Sequence, residues 1–295
     1  LQLKKQSSRY LKSEEKYIEI PERGKLSKKN KLNDLTGKEW IKFTKTWFLH
    51  QPKRRKDDEI LHPAKFPESL VEEFIKFFTK KGDFVFDPFL GTGSTLIACG
   101  NLERNGIGIE LSPKYFEIAQ KRIEENNFTY NLLPINGNSN NLIDLVRNRT
   151  EKEMDFVITS PPYWNQLERN SVRQKNRAEK GLDTKYSMES DDIGNTENYD
   201  EFLKKQALIF DKVFDITKNG AYLVVITNNV FVDGRLFPLA FDTAISLSKR
   251  GNKSWVMKDE KIWLQNDKRL LPLGLNSAWV GNRHHQYCLI FRKEV

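Results

Sequence analysis

The run Phe84-Val85-Phe86-Asp87-Pro88-Phe89-Leu90-Gly91-Thr92-Gly93, continued by Ser94 to Gly100, constrains this chain more than any other segment. A short apolar run predicts a buried strand, Pro88 and two glycines stop it, and the residues after Gly93 resume as a helix. Strand, tight turn and helix form the opening unit of an open α/β sheet, with the turn at the edge where such sheets bind ligands. The alternation continues. Gly106 to Glu110 reads as a second strand, and Pro113 to Glu125 as a helix opened by Ser112 as N-cap with Pro at the first helical position. A weaker strand over Tyr130 to Ile135 leads to a turn at Asn136-Gly137-Asn138-Ser139, and Phe156-Val157-Ile158 reads as a fourth strand. A helix from about Tyr199 to Thr217, a fifth strand over Tyr222 to Ile226 and a helix near Phe237 to Lys249 come next. Two late strands, Ser254 to Trp263 and Tyr287 to Phe291, have an antiparallel look. The expected fold is therefore α/β: a Rossmann-like open, mostly parallel sheet with helices on both faces and an antiparallel strand near the C-terminus.

Upstream of the sheet the pattern differs. Residues 1 to about 34 are polar and Lys-rich, apart from Tyr17-Ile18-Glu19-Ile20, and read as an arm. Trp40, Ile41, Phe43, Thr44, Trp47 and Phe48 fall at helical spacing after Thr36, with Glu39 three residues on, which predicts a capped helix near 36–48. The expected division is a basic extension over 1–60 and a catalytic domain over 61–295. Residues 1–65 hold 18 basic and 9 acidic side chains, whereas 66–295 hold 31 of each, so the net charge of +9 is entirely N-terminal. Such an excess suits a polyphosphate backbone or a solvated tail. The chain opens on Leu1, so its natural start is expected to be missing.

Other classes are disfavoured. No stretch approaches the roughly 20 apolar residues of a membrane span, and the first 31 residues are too charged for a signal peptide, so a cytoplasmic protein is expected. Cys99 and Cys288 cannot build a disulfide framework, and four His without CxxC or HxxxH spacing give no metal cassette.

Two motifs carry the chemistry. In the first, Gly91 and Gly93 allow close backbone approach at a helix N-terminus, and Glu110 closes the next strand 19 residues beyond Gly91, where a carboxylate can accept both hydroxyls of a ribose. Leu96 breaks a full GxGxxG and no Lys follows Gly93, so a phosphate-cradling loop is excluded, while a plain tight turn stays open. In the second, Thr159-Ser160-Pro161-Pro162-Tyr163-Trp164 follows the fourth strand at the same sheet edge. The prolines lack N–H groups, leaving the carbonyls of Ser160 and Pro161 as acceptors beside the flat face of Tyr163. Such a pocket suits a planar group bearing an NH2. Accepting both hydrogens favours pyramidal nitrogen and frees its lone pair for attack on an electrophilic methyl group.

On these residues the chain resembles the S-adenosylmethionine-dependent DNA amino-methyltransferases, which methylate cytosine N4 or adenine N6; the resemblance covers roughly residues 36–295. Asp87 to Thr95 is similar to the family's cofactor motif and Ser160-Pro161-Pro162-Tyr163 to its catalytic motif, while His62-Pro63-Ala64-Lys65-Phe66-Pro67 resembles the further cofactor motif that precedes the sheet. The resemblance implies that His62, Pro63, Phe66, Asp87, Pro88, Phe89, Gly91, Thr92, Gly93, Ser94 and Thr95 serve the cofactor, with Glu110 on the ribose and Asn138 beside the adenine. Family members often carry Asp where Asn138 stands; Asn keeps an acceptor oxygen and loses the charge. Ser at the first position of the tetrapeptide is the usual form in cytosine-N4 enzymes, where adenine-N6 enzymes have Asp or Asn, so cytosine N4 is favoured. The order of cofactor motif before catalytic motif is the reverse of that in many cytosine-N4 enzymes. Cytosine C5 chemistry is disfavoured because neither Cys99 nor Cys288 follows a proline.

The insertion expected over 165–200 follows the catalytic motif directly and so emerges beside the substrate. Its first half is basic, and Arg169, Arg173, Lys175 and Arg177 are the candidate contacts to double-stranded DNA, with a disordered loop as the alternative. Its second half, with Asp191, Asp192 and Glu197, is expected to fold back on the first. Asn282-Arg283-His284-His285-Gln286-Tyr287 reads as a polar turn before an edge strand. The resemblance further implies a prokaryotic, nucleoid-associated restriction-modification setting with a cognate endonuclease as partner, and no metal. Adenine-N6 methylation, an RNA amino-methyltransferase, a nicotinamide oxidoreductase using the same glycine turn, and a non-catalytic DNA-binding module are the rival readings.

Overall fold

A computed structural model of the protein describes residues 17–20, 24–27, 29–50, 67–164 and 191–295. Strands β1 (Tyr17–Ile20) and β2 (Gly24–Ser27) pair as an antiparallel hairpin within the segment read as an arm. The end of that segment is docked on the body: Asn33 is buried and its Nδ2 donates to the Phe77 carbonyl at 2.6 Å.

Helix α1 (Gly37–Phe43) opens with the expected capping box, Thr36 accepting from the Glu39 N–H while Glu39 accepts from the Thr36 N–H. The helix does not run to residue 48. It stops at Thr44, and Trp47–Leu49 forms strand β3. Two β-branched threonines, Thr44 and Thr46, weaken further helix, and β3 pairs in parallel with Ile262–Leu264 near the other end of the chain. Helix α2 (Glu68–Phe78) buries Leu70, Val71, Phe74, Ile75, Phe77 and Phe78 against one face of the sheet. Full burial of each such side chain contributes about 1.5–3 kcal/mol. Phe43 stacks on Phe77 with centroids 4.2 Å apart, which fixes α1 against α2.

The core of the fold is β4 (Phe84–Asp87), α3 (Ser94–Asn101), β5 (Asn105–Glu110), α4 (Pro113–Glu125), β6 (Leu132–Asn136), α5 (Leu142–Arg147) and β7 (Met154–Thr159). It continues with α6 (Tyr199–Ile216), β8 (Thr217–Thr227), the small hairpin β9 (Val230–Val232) and β10 (Arg235–Phe237), α7 (Leu239–Ser248), β11 (Val256–Leu264) and β12 (His285–Arg292). Among the described residues, eight strands form one sheet in the order β3-β11-β12-β8-β7-β4-β5-β6. Strands β8, β7, β4, β5 and β6 run parallel, and β12 is antiparallel to both β8 and β11. The central strand β4 is buried along its whole length, as its uninterrupted apolar run requires.

The topology locates the site. From β4 the chain winds outward through β5 and β6, then returns to place β7 on the other side of β4. The order therefore reverses between β4 and β7, and the crevice beyond their carboxyl ends is where open sheets bind ligands. Among the described residues no helix is long and apolar enough to cross a membrane. Cys99 and Cys288 are both buried as free thiols.

Candidate active site

At the end of β4, Asp87 is fully buried and holds three elements at once. Its Oδ1 accepts from the Phe89 N–H at 3.0 Å and from Thr159 Oγ1 at 2.6 Å, and its Oδ2 accepts from Thr95 Oγ1 at 2.5 Å. Burial pushes this carboxyl up to about 6 against those three hydrogen bonds. Asp87 thus ties the glycine turn to α3 and to the last residue of β7, and it forms the backing of the crevice, not its wall.

The wall begins one residue later. Pro88, Phe89, Gly91, Thr92 and Ser94 line a cleft of about 810 Å³ counting its open mouth, whereas Gly93 and Thr95 lie behind it with Asp87. Gly93, at φ +85°, is the N-cap of α3, and a Cβ there would come within 3.0 Å of Ala119 on α4, so only glycine suits that turn. The turn is braced from outside. Arg122 on α4 donates to the Thr92 carbonyl and pairs with Glu68, which also accepts from Ser94 Oγ at 3.3 Å.

Glu110 closes β5 on the opposite wall. Its Oε2 accepts from the Gly91 N–H at 2.7 Å and its Oε1 from the Ser112 N–H at 2.9 Å. A carboxylate offers about four acceptor positions, so two remain for hydroxyl donors in the cleft. Burial, reinforced by the charges of Asp192 and Asp87, pushes this group up to about 7 despite the two backbone donors. Asn138 also lines the cleft. Its Oδ1 caps the next turn by accepting the Asn140 N–H at 2.8 Å, and its Nδ2 lies 3.5 Å from Asp191 Oδ2. Asp191 and Asp192, which the sequence places in the acidic half of the insertion, are cleft residues as well.

On the β7 side, Ser160 and Pro162 line the cleft, while Pro161 is buried and Tyr163 sits behind Ser160. Tyr163 donates to Gln286 Oε1 at 3.1 Å, and the Ser160 Oγ lies 3.2 Å from the Tyr163 hydroxyl. Because the phenol proton goes to Gln286, the Ser160 proton goes to Tyr163. The Ser160 lone pairs are left for a donor in the cleft. Gln286 belongs to no motif, so sequence reasoning misses it; where a polar turn is expected, His285 and Gln286 already open β12. Trp164 then takes φ +51°, uncommon for a bulky residue, and is held there by packing against Tyr199 and Phe237 at 5.0 and 4.8 Å and by donation from its indole to the Thr196 carbonyl at 2.9 Å. The candidates His62, Pro63 and Phe66, and Arg169, Arg173, Lys175 and Arg177, lie outside the described residues.

A glycine turn at the switch point, a carboxylate at the end of the next strand and an acceptor-bearing Pro-Pro segment across the crevice define the class: a Rossmann-like open α/β sheet with a ligand crevice at its switch point. Known proteins show similarity to parts of this chain. Residues 3–121 match the N6_N4_Mtase model, described as DNA methylase. The type II methyltransferase M.BglI of Bacillus subtilis is 41% identical over 92 residues, covering 31% of this chain and 26% of that protein. The type II methyltransferase M2.DpnII of Streptococcus pneumoniae is 44% identical over 68 residues, covering 23% and 25%. The chain thus spans about a quarter of the length of these relatives. The family's cofactor is S-adenosylmethionine, and the cleft suits it: Phe89, Ile109, Leu111 and Tyr115 supply apolar walls, Glu110 keeps two acceptor positions, and the buried Thr92 Oγ1 has no hydrogen-bond partner.

Proposed function

We propose that the protein is a DNA methyltransferase acting on an exocyclic amine, and specifically on cytosine N4. The observation that carries this reading is the Ser160–Tyr163–Gln286 chain, which turns the Ser160 oxygen into an acceptor at the cleft. In this reading Glu110 holds the ribose of the cofactor, Gly91, Thr92 and Ser94 lie along its methionine part, and Asn138 flanks the adenine. When bound, the cofactor supplies an electrophilic methyl group on a sulfonium. Ser160 Oγ and the Pro161 carbonyl accept the two amine hydrogens of a base flipped out of the duplex. With both hydrogens held, the nitrogen lone pair would be free toward the methyl group that the cofactor would supply, and the proton released from nitrogen would pass to water. Alignment and fixed acceptors do most of the work, as in other sites where positioning and electrostatics replace covalent catalysis.

The choice of cytosine rests on Ser160 at the first position of the tetrapeptide. A restriction-modification setting in a prokaryotic cytoplasm, with a cognate endonuclease, belongs to the same reading and is supported by the type II designation of the relatives. The test is to incubate the protein with labelled S-adenosylmethionine and mixed-sequence duplex DNA, digest to nucleosides and identify the product by mass, with a parallel RNA arm. N4-methylcytosine is the expected product. N6-methyladenine would replace the cytosine assignment, and label confined to RNA or absent from all bases would sink the reading.

A further inference from the structure

The strands at the antiparallel end of the sheet send a long loop, residues 265–284, out over the catalytic edge. Register fixes that placement: Tyr287 on β12 is opposite Thr227, the last residue of β8, so the chain before it projects past the carboxyl ends of the parallel strands. The loop's base abuts the site, since Gln286 accepts from Tyr163.

The loop has a built conformation. The Gln265 N–H donates to the His284 carbonyl at 2.7 Å, and Asn282 clamps Leu271 by accepting its N–H at 2.9 Å and donating to its carbonyl at 2.8 Å. At the tip Gly274 takes φ +65° and its carbonyl accepts the N–H groups of Ser277 and Ala278; a Cβ at Gly274 would run into the Ala278 carbonyl oxygen. Arg283 lies over the Phe231 ring at 5.2 Å, joining the loop to the β9–β10 hairpin.

This ordered scaffold holds apolar side chains out in solvent. Trp279 is 93% exposed, Leu270 71% and Leu275 70%. Large apolar side chains held out in solvent on an ordered loop suit a contact surface. Three cations, Lys268, Arg269 and Arg283, accompany it against one carboxylate, Asp267, which suits a polyanion. Proteins that disturb a base stack frequently insert an apolar side chain into it, while cations hold the flanking phosphates.

We propose that residues 265–284 form a duplex-DNA contact element in which Trp279 enters the base stack beside the target and Lys268 and Arg269 hold phosphates. The proposal rests on the DNA methyltransferase reading. It adds a second DNA-binding segment, distinct from the one expected at Arg169 to Arg177.

The experiment compares the wild-type protein with Trp279→Ala and with the double variant Lys268→Ala/Arg269→Ala. It measures anisotropy of a labelled duplex across a salt series, calorimetric titration with S-adenosylmethionine, and sedimentation. Trp279→Ala should weaken duplex binding about tenfold, the worth of one base–aromatic stack. The double variant should flatten the plot of log K against log salt by about 1.8, for two phosphate contacts. Cofactor affinity and sedimentation should stay at wild-type values in both. Wild-type duplex affinity and slope in both variants would overturn the proposal while leaving methyl transfer by the wild type intact. So would a dimer that Trp279→Ala converts to monomer with duplex affinity unchanged. Absence of duplex binding and methyl transfer by the wild type would instead remove the underlying reading.

Discussion

Tyr163 gives its phenol proton to Gln286 at 3.1 Å, across the join between the Ser160–Tyr163 segment and the start of β12. The last antiparallel strand of the sheet therefore sets the proton direction at Ser160. Gln286→Ala removes the acceptor and lets Tyr163 donate back toward Ser160, so turnover should fall about tenfold, the worth of one neutral hydrogen bond of roughly 1.4 kcal/mol. Calorimetric affinity for S-adenosylmethionine should stay within about twofold of wild type, since Gln286 does not line the cleft. Gln286→Glu keeps an acceptor and should recover much of the rate. Equal turnover in all three proteins would remove Gln286 from the relay.

The carboxyl of Glu110 sits near neutrality because burial raises it to about 7. Sugar hydroxyls bind best to the ionised form, which predominates above that value and is lost as pH falls through it. Cofactor affinity should therefore weaken about tenfold between pH 8 and pH 6, from the fraction ionised at each pH. In Glu110→Gln the affinity should be lower at pH 8 and nearly flat across the range. A flat wild-type profile by calorimetry would contradict the ribose role.

Trp164 is 5% exposed, holds φ +51° and packs between Tyr199 and Phe237. Trp164→Ala removes that packing and should cost about 3–5 kcal/mol of unfolding free energy in urea titrations. It should also lower turnover more than cofactor affinity, because the freed segment is the exit of Ser160 to Tyr163. A loss under about 1 kcal/mol would mean that the positive φ is held by the backbone alone.

The parallel half of the sheet is legible in the sequence because its signals are local. Pro113–Glu125 forms residue for residue as read, since Ser112, Pro113 and the helical periodicity all lie within the segment. Strand β3 is not legible: Trp47 and Phe48 fit helical spacing as well as strand alternation, and what decides is pairing with Ile262–Leu264, far along the chain. The cleft shows the same division. Gly91, Thr92, Ser94 and Glu110 announce themselves by spacing, as does Ser160 by its prolines. Asp191 and Asp192 reach the cleft only through the path by which the chain returns to α6, and Gln286 only through the register of β12 on β8.

The buried carboxylate of Asp87 has a further consequence. It grips Thr95 on α3 with one oxygen and Thr159 on β7 with the other, so the two sides of the cleft are hung from a single side chain. The span between the glycine turn and Ser160 is then tied to the β4–β7 strand pair. In the proposed reading, the segments around the cleft can lengthen, shorten or exchange without resetting the distance between cofactor and base.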